Sequence, residues 1–405
     1  MTRQFLLSDV AKYYVSLARN VRGNSADLYC LFFLSIGYVG IISFIYRLIF
    51  VDANISQISG ALITVAFTCS VRFSRIPLLS ILAGISSKLL YVAGSILSIL
   101  AHMCLYLDQS PIVLLLGLSL IGACYGQAST LVMVSAAKGG ADSPFVGISV
   151  RSNIAILVGA PIGVWLYNDF GPQYGFLSGA AVSTVALVFA TKVIDHSAVP
   201  QSPPRLQLLI AVLVRNRQAL AALILLIFSW ATCHQVYIII PRLSTDNHFP
   251  VSMTSFFFAA KSIAVVVVSA PIYVIARMLD ASLGQLFSCG IALMISAVII
   301  STGSFESSIL ISAILFASGE IILVPLIAIA LSKVVAPSEQ TAIFVLHPVA
   351  LGIAEILGGT IGSLIAAIPS VGTYTLATLV VVANLIQFRI MNRLRVFDGK
   401  LRDIG

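Results

Sequence analysis

The chain has 405 residues, 59% of them hydrophobic and only 9% charged, with a mean hydropathy of +1.05. Soluble domains are nearer half apolar and a quarter charged, so a soluble enzyme, a secreted disulfide scaffold and a disordered chain are excluded, and the long unbroken apolar runs exclude an outer-membrane barrel. The net charge of +8, from 23 Lys and Arg against 15 Asp and Glu, suits basic loops beside membrane spans better than a nucleic-acid partner.

In chain order, residues 1–27 mix charged and apolar side chains and lack the pattern of a cleavable leader. Phe5, Leu6, Val10, Tyr13, Tyr14 and Leu17 suit a short helix lying on the inner membrane surface. Twelve apolar runs follow, at 28–50, 57–72, 77–105, 111–136, 144–167, 172–191, 218–240, 252–273, 282–302, 306–332, 341–367 and 371–390. Within hydrocarbon each must be a helix, because an unpaired backbone amide there costs several kcal/mol. The expected fold is an all-α membrane protein of twelve transmembrane helices in two pseudo-symmetric six-helix bundles, 28–191 and 218–390. A cytoplasmic linker at 192–217, carrying Pro200, Pro203 and Pro204, separates them, and a cytoplasmic tail occupies 391–405.

An even span count puts both termini on one side. With both inside, 18 of the 23 basic residues fall on inner segments and only Arg47 and Arg242 on outer ends, which is the positive-inside pattern. Lys88, Arg151 and Lys261 are left within spans. The halves also echo each other. Lys138-Gly-Gly-Ala-Asp142 leads, 21 residues after Lys138, to Gly159-Ala-Pro-Ile-Gly163, and Lys333-Val-Val-Ala-Pro-Ser-Glu339 leads, 25 residues after Lys333, to Gly358-Gly-Thr-Ile-Gly362. Glycines four apart let helices approach closely, here on spans 5 and 11, which are equivalent under a six-plus-six duplication. Two such halves imply a cavity at their junction and rocking between inward- and outward-open states.

At these positions the sequence resembles the major facilitator superfamily over essentially its whole length. The family signature between spans 2 and 3 corresponds to Ser70-Val-Arg-Phe-Ser-Arg-Ile-Pro77. Arg72 and Arg75 hold its basic positions and are the gating residues the resemblance implies, while Val71 and Ser74 replace its Asp and inner Gly. Gly147 and Pro161 match the spacing of the span 5 motif of antiporters, where Ile156 and Ala160 replace two glycines. The sequence is further similar to the sugar efflux transporter branch, through Ser149-Val-Arg-Ser-Asn-Ile-Ala-Ile-Leu-Val-Gly-Ala-Pro-Ile-Gly163 on span 5 and Ser229-Trp-Ala-Thr-Cys-His-Gln-Val-Tyr-Ile-Ile-Ile-Pro241 on span 7. Exporters of the peptide-nucleotide antibiotic microcin C look similar at this level. The resemblance implies proton-driven export from the cytoplasm through the bacterial inner membrane.

Thirteen of the 15 acids lie in loops or near span ends; Glu320 on span 10 and Glu355 on span 11 are deep. Ionisable residues in spans are costly and face a cavity or each other. A carboxylate in a low-dielectric interior can take up and release a proton near neutral pH, so Glu320 and Glu355 are candidate proton-coupling residues. The alternative for either is a static ion pair with Lys261. Arg151 and Asn153 on span 5 are candidates for binding a polar or anionic solute, since guanidinium suits carboxylate or phosphate, and the alternative for Arg151 is a structural bond to backbone carbonyls. Gln127 on span 4, His234 and Gln235 on span 7 and Lys261 complete the expected substrate-binding set. His102 reads as interfacial, and Phe256-Phe257-Phe258 as lipid-facing.

The six cysteines are scattered without metal-ligand spacing, so no metal is expected. No GxxxxGK[ST], GxSxG or HExxH motif occurs, which argues against an ATPase or hydrolase. No cofactor is expected beyond a proton gradient. The partners expected are a small-molecule or short peptide-nucleotide substrate and membrane lipid, with no nucleic acid, and the chain is expected to be a monomer. A non-transporting receptor on this scaffold and an importer are the alternatives.

Overall fold

The computed structural model describes residues 25–49, 55–74, 76, 85–138, 143–194, 206–246, 252–301, 306–336, 339–366 and 372–394. They form thirteen helices. The first six are α1 (Ser25–Arg47), α2 (Gln57–Phe73), α3 (Ser87–Leu107), α4 (Pro111–Lys138), α5 (Ser143–Phe170) and α6 (Pro172–Ala190). A short α7 (Leu206–Arg215) precedes α8 (Arg217–Asp246), α9 (Ser252–Met278), α10 (Leu283–Ser301), α11 (Glu306–Val334), α12 (Gln340–Ala366) and α13 (Gly372–Leu394). Eight helices are long and apolar enough to cross a bilayer, and three more carry shorter apolar segments, counted over the described residues.

Local sequence sets the helix starts. Ser56 and Ser86 accept from the amides of Ser59 and Leu89 at the heads of α2 and α3, replacing partners that a first turn lacks. Ser282 and Gln285 close a reciprocal capping box at the head of α10, Ser282 accepting from the Gln285 amide and Gln285 from the Ser282 amide. The tight turn from α5 to α6 uses Gly171 at φ +99°, a backbone conformation that a Cβ would strain, followed by Pro172 in the first turn of α6.

Two sequence expectations change here. The third span starts at Ser87 rather than 77, so Lys88 stands exposed in the first turn of α3 and is not an interior charge. The linker expected at 192–217 contains a helix, α7, separated from α8 by Asn216, whose Oδ1 accepts from the Ala219 amide at 3.0 Å.

The helices group into two compact units. One comprises Asn20–Gly139 and Ile154–Ile210, the other Met1–Arg19, Gly140–Asn153 and Ala211–Gly405. In the first, α1 packs on α4 and α6, α2 on α4, and α3 on α4 and α6. In the second, α8 packs on α11 and α13, α9 on α11, and α10 on α11 and α13. Each neighbour pair of the first unit thus recurs in the second at the helix six spans later, as expected for a duplicated bundle.

The glycine motif of span 5 explains one contact. A Cβ on Gly159 would lie 2.6 Å from the Ile36 carbonyl oxygen and one on Gly163 would lie 2.3 Å from that of Gly40, so only glycine lets α5 approach the α1 backbone this closely. The first unit's core is apolar and aromatic, with Ile41, Phe44, Phe67, Leu105, Leu118 and Phe176 among its buried members. Its buried polar groups along α3 are weakly polar. The Ser98 and Ser183 hydroxyls meet at 3.0 Å between α3 and α6, and His102 bonds through Nδ1 to the Ser98 carbonyl oxygen at 2.7 Å. His102 is 1% exposed, against the interfacial position expected, because it tucks into the space left by Gly179, where a Cβ would be 2.1 Å from the ring.

Candidate functional site

The polar groups of the second unit collect around two carboxylates. Lys261 on α9 and Glu320 on α11 form an ion pair at 2.7 Å, with side-chain exposures of 3% and 9%. The Lys261 ammonium also lies 5.6 Å from the centroid of the Phe316 ring, one turn before Glu320. Phe257, one turn before Lys261, is fully buried and its ring is 6.2 Å from that of Phe316. The lipid-facing expectation therefore fails at Phe257, which packs toward Phe316 of α11. Within the helices the pair costs desolvation that good geometry and an aromatic face partly offset.

Beside it, α11 carries Pro325. Proline has no amide proton, so it leaves the carbonyl four residues earlier without its helical donor. That carbonyl belongs to Ile321, and the Tyr273 hydroxyl of α9 donates to it at 3.1 Å. A backbone defect next to Glu320 is thus tied to the helix that supplies Lys261.

The second carboxylate, Glu355 on α12, is half-buried and accepts from the indole Nε1–H of Trp230 on α8 at 3.0 Å. The preceding residue, Ser229, donates to Gln387 Oε1 at 2.6 Å, and Gln387 Nε2 donates to Asn384 Oδ1 at 3.2 Å. All three are buried. Consecutive residues of α8 therefore fasten α12 and α13. His347 and Leu351, eight and four residues before Glu355 on α12, are buried.

Among the expected substrate-binding residues, Asn153 is 3% exposed. Its Nδ2 donates to the Ser149 carbonyl at 3.0 Å, and its Oδ1 is buried without a hydrogen-bond partner. Arg151 is half-buried on α5, and Gln127 is buried on α4. His234 and Gln235 belong to α8, with their side chains outside the described residues, and Arg75 also lies outside them. Arg72 is in the last turn of α2. The structure thus joins Lys261 to Glu320, whereas Asn153 bonds within its own helix. Trp230, Tyr273, Ser229 and Gln387 make interhelical hydrogen bonds that the sequence did not single out. Among the described residues no group of three His, Cys, Asp or Glu side chains is placed to hold a metal.

The sequence profile of the Major Facilitator Superfamily matches residues 28–367. No curated protein matches the chain. Among solved structures, the human organic anion transporter MFSD10 (TETRAN) is similar at a TM-score of 0.70 and 11% identity, with 91% of this chain and 98% of that one covered. The nucleoside transporter NupG is similar at a TM-score of 0.62 and 14% identity, with the same coverage of 91% and 98%.

Proposed function

This chain belongs to the major facilitator superfamily, and we propose that it exports a small hydrophilic solute from the cytoplasm in exchange for protons. The family makes it a multi-pass membrane transporter and not an enzyme. The proposal adds direction, coupling and cargo. It places the chain in a bacterial inner membrane with both termini inside, supported by the basic residues of the inner segments, which Lys88 joins at the head of α3. It acts as a monomer, with no cofactor but the proton gradient.

The observation that carries the reading is the buried ion pair Lys261–Glu320 at 2.7 Å. Ionisable groups held inside spans are expensive, and a carboxylate there can alternate between a proton and another partner. A cargo hydroxyl or amine donates to the same oxygen that a proton would occupy, so cargo and proton exclude one another, which is the logic of exchange. Protonation of Glu320 removes its attraction for Lys261 and loosens α9 from α11. Glu355 differs. An indole N–H can donate to a carboxylate and, more weakly, to the carbonyl oxygen of a carboxylic acid, so Glu355 can change protonation state while keeping Trp230 as a partner. The unpartnered Oδ1 of Asn153 suits a donor on the cargo, with Arg151, Gln127, His234 and Gln235 as further contacts and Arg72 and Arg75 as gating residues.

The cargo proposed is a sugar-like molecule or a peptide-nucleotide antibiotic of the microcin type, in which case export gives a producer self-immunity. The organic anion and nucleoside that name the two neighbouring structures fall in the same broad class of small polar solutes. Expression in a sensitive strain should lower accumulation of a labelled glycoside or of a microcin-type antibiotic. Unchanged accumulation across a broad panel identifies a receptor instead, and raised accumulation an importer; either result overturns export.

A further inference from the structure

We propose that the cleft where α7 meets α8 binds the headgroup of an anionic phospholipid from the membrane leaflet it faces. The inference is independent of cargo and of transport direction. α7 is ten residues long, Leu-Gln-Leu-Leu-Ile-Ala-Val-Leu-Val-Arg, far too short to cross a bilayer. Ile210 and Val214, one turn apart, are 53% and 75% exposed, while Val212 on the other side of the helix is buried. An apolar stripe on a short helix flanked by arginines is the pattern of a helix lying in the membrane interface. Its position agrees, since the apolar stretch of α8 begins immediately after Arg217 and Gln218.

At the C-terminal end of the stripe lies an open cleft of about 430 Å³, lined by Arg215, Asn216, Arg217, Gln218, Ala336 and Glu339. Asn216 fixes its floor. Its Nδ2 donates to the Val334 carbonyl at the end of α11, and its Oδ1 caps α8 at the Ala219 amide. The Arg215 side chain is 84% exposed and reaches Glu339 only at 4.0 Å, so this carboxylate orients the guanidinium without consuming its donors. Two guanidinium groups against one carboxylate leave the cleft with an excess of positive charge, and guanidinium binds phosphate through paired hydrogen bonds. A soluble anion would use the arginines alone. A phospholipid also uses Ile210 and Val214, which lie where its acyl chains would run.

The full-length protein in neutral detergent, titrated with phosphatidylglycerol, phosphatidylethanolamine or glycerol phosphate and read by native mass spectrometry, tests this. Phosphatidylglycerol should bind, phosphatidylethanolamine should bind far more weakly, and glycerol phosphate should neither bind nor compete. Arg215→Gln with Arg217→Gln should weaken phosphatidylglycerol binding about 30-fold, from roughly fivefold for each cation. The corresponding double Lys variant should keep most of it, and Val214→Asn should weaken it with both arginines in place. Equal binding by the double Gln variant and the wild-type chain overturns the site, as does equal binding of the two lipids. Glycerol phosphate binding as tightly as the lipid overturns the lipid assignment.

Discussion

The α2–α4 interface of the first unit and the α9–α11 interface of the second occupy equivalent places in the repeated helix pairing, yet they bury opposite chemistry. In the first, Phe67 and Val71 lie against Gly122, where a Cβ would come within 2.9 Å of Val71 Cγ2 and 3.1 Å of the Phe67 carbonyl oxygen. In the second, Lys261 and Glu320 meet at 2.7 Å, with the Phe316 ring 5.6 Å from the Lys261 ammonium. Phe67, Val71 and Gly122 close the first contact without a charge, so helices at this place in the bundle can pack without an ion pair. A buried ion pair costs desolvation, and its presence at only one of these two equivalent contacts is what supports the proposed role in proton coupling.

The largest effect should come from breaking the charged side of this comparison. Lys261→Met leaves Glu320 buried without its cation and should destabilise the protein by about 3–5 kcal/mol, seen as a lower unfolding midpoint in detergent. Lys261→Met combined with Glu320→Leu should recover most of that loss, making the second interface resemble the first. If the double variant is as unstable as the single one, the pair is structural and the comparison fails. Next in size, Gly122→Ala overpacks the apolar interface and should cost about 1–3 kcal/mol on the same thermal assay, without altering any proton-dependent property. Tyr273→Phe leaves the Ile321 carbonyl without its donor and should cost about 1 kcal/mol; no change in midpoint would mean that the proline defect is satisfied in another way. The smallest effect lies outside the spans. Asp108, in the turn between α3 and α4, accepts from the backbone amide and the hydroxyl of Ser110, and these bonds hold its carboxyl below its usual value of 3.8. A depressed folded-state pKa adds stability above the unfolded value that is lost as pH falls through the folded one. Wild type and Asp108→Asn should therefore differ slightly near neutral pH and converge in acid below that usual value. Divergence in acid would reverse the sign.

Much of the architecture was legible because lipid permits few solutions. Apolar runs must be helices, and Gly159 and Gly163 announced a close helix contact that proves to be with α1. The start of α3 was not legible, because residues 77–86 continue the apolar run without a break and only the Ser86 cap marks where the helix begins. α7 was hidden inside a stretch marked by prolines and arginines, too short to register as a span. Within the site, Lys261 and Glu320 stood out as charges stranded among apolar residues. Glu355 stood out as well, but its partner did not, since Trp230 and Glu355 lie 125 residues apart and no periodicity links them. Pro325 frees a carbonyl on α11, but nothing in sequence spacing says that Tyr273, 48 residues away from Ile321, is the side chain that reaches it. His102 and Phe257 were misjudged for a shared reason. Both are amphipathic or aromatic residues of kinds common at the lipid boundary, and only the packing of Gly179 and Phe316 shows that they turn inward.

The central claim is that Glu320 or Glu355 exchanges protons as cargo moves. Transport of a labelled solute identified by the accumulation screen, measured in vesicles with and without an imposed pH gradient for wild type, Glu320→Gln and Glu355→Gln, tests it most directly. At least one of the two variants should still exchange solute across the membrane but no longer respond to the gradient. If both transport at the wild-type rate and respond to the gradient as the wild type does, neither carboxylate couples protons to transport.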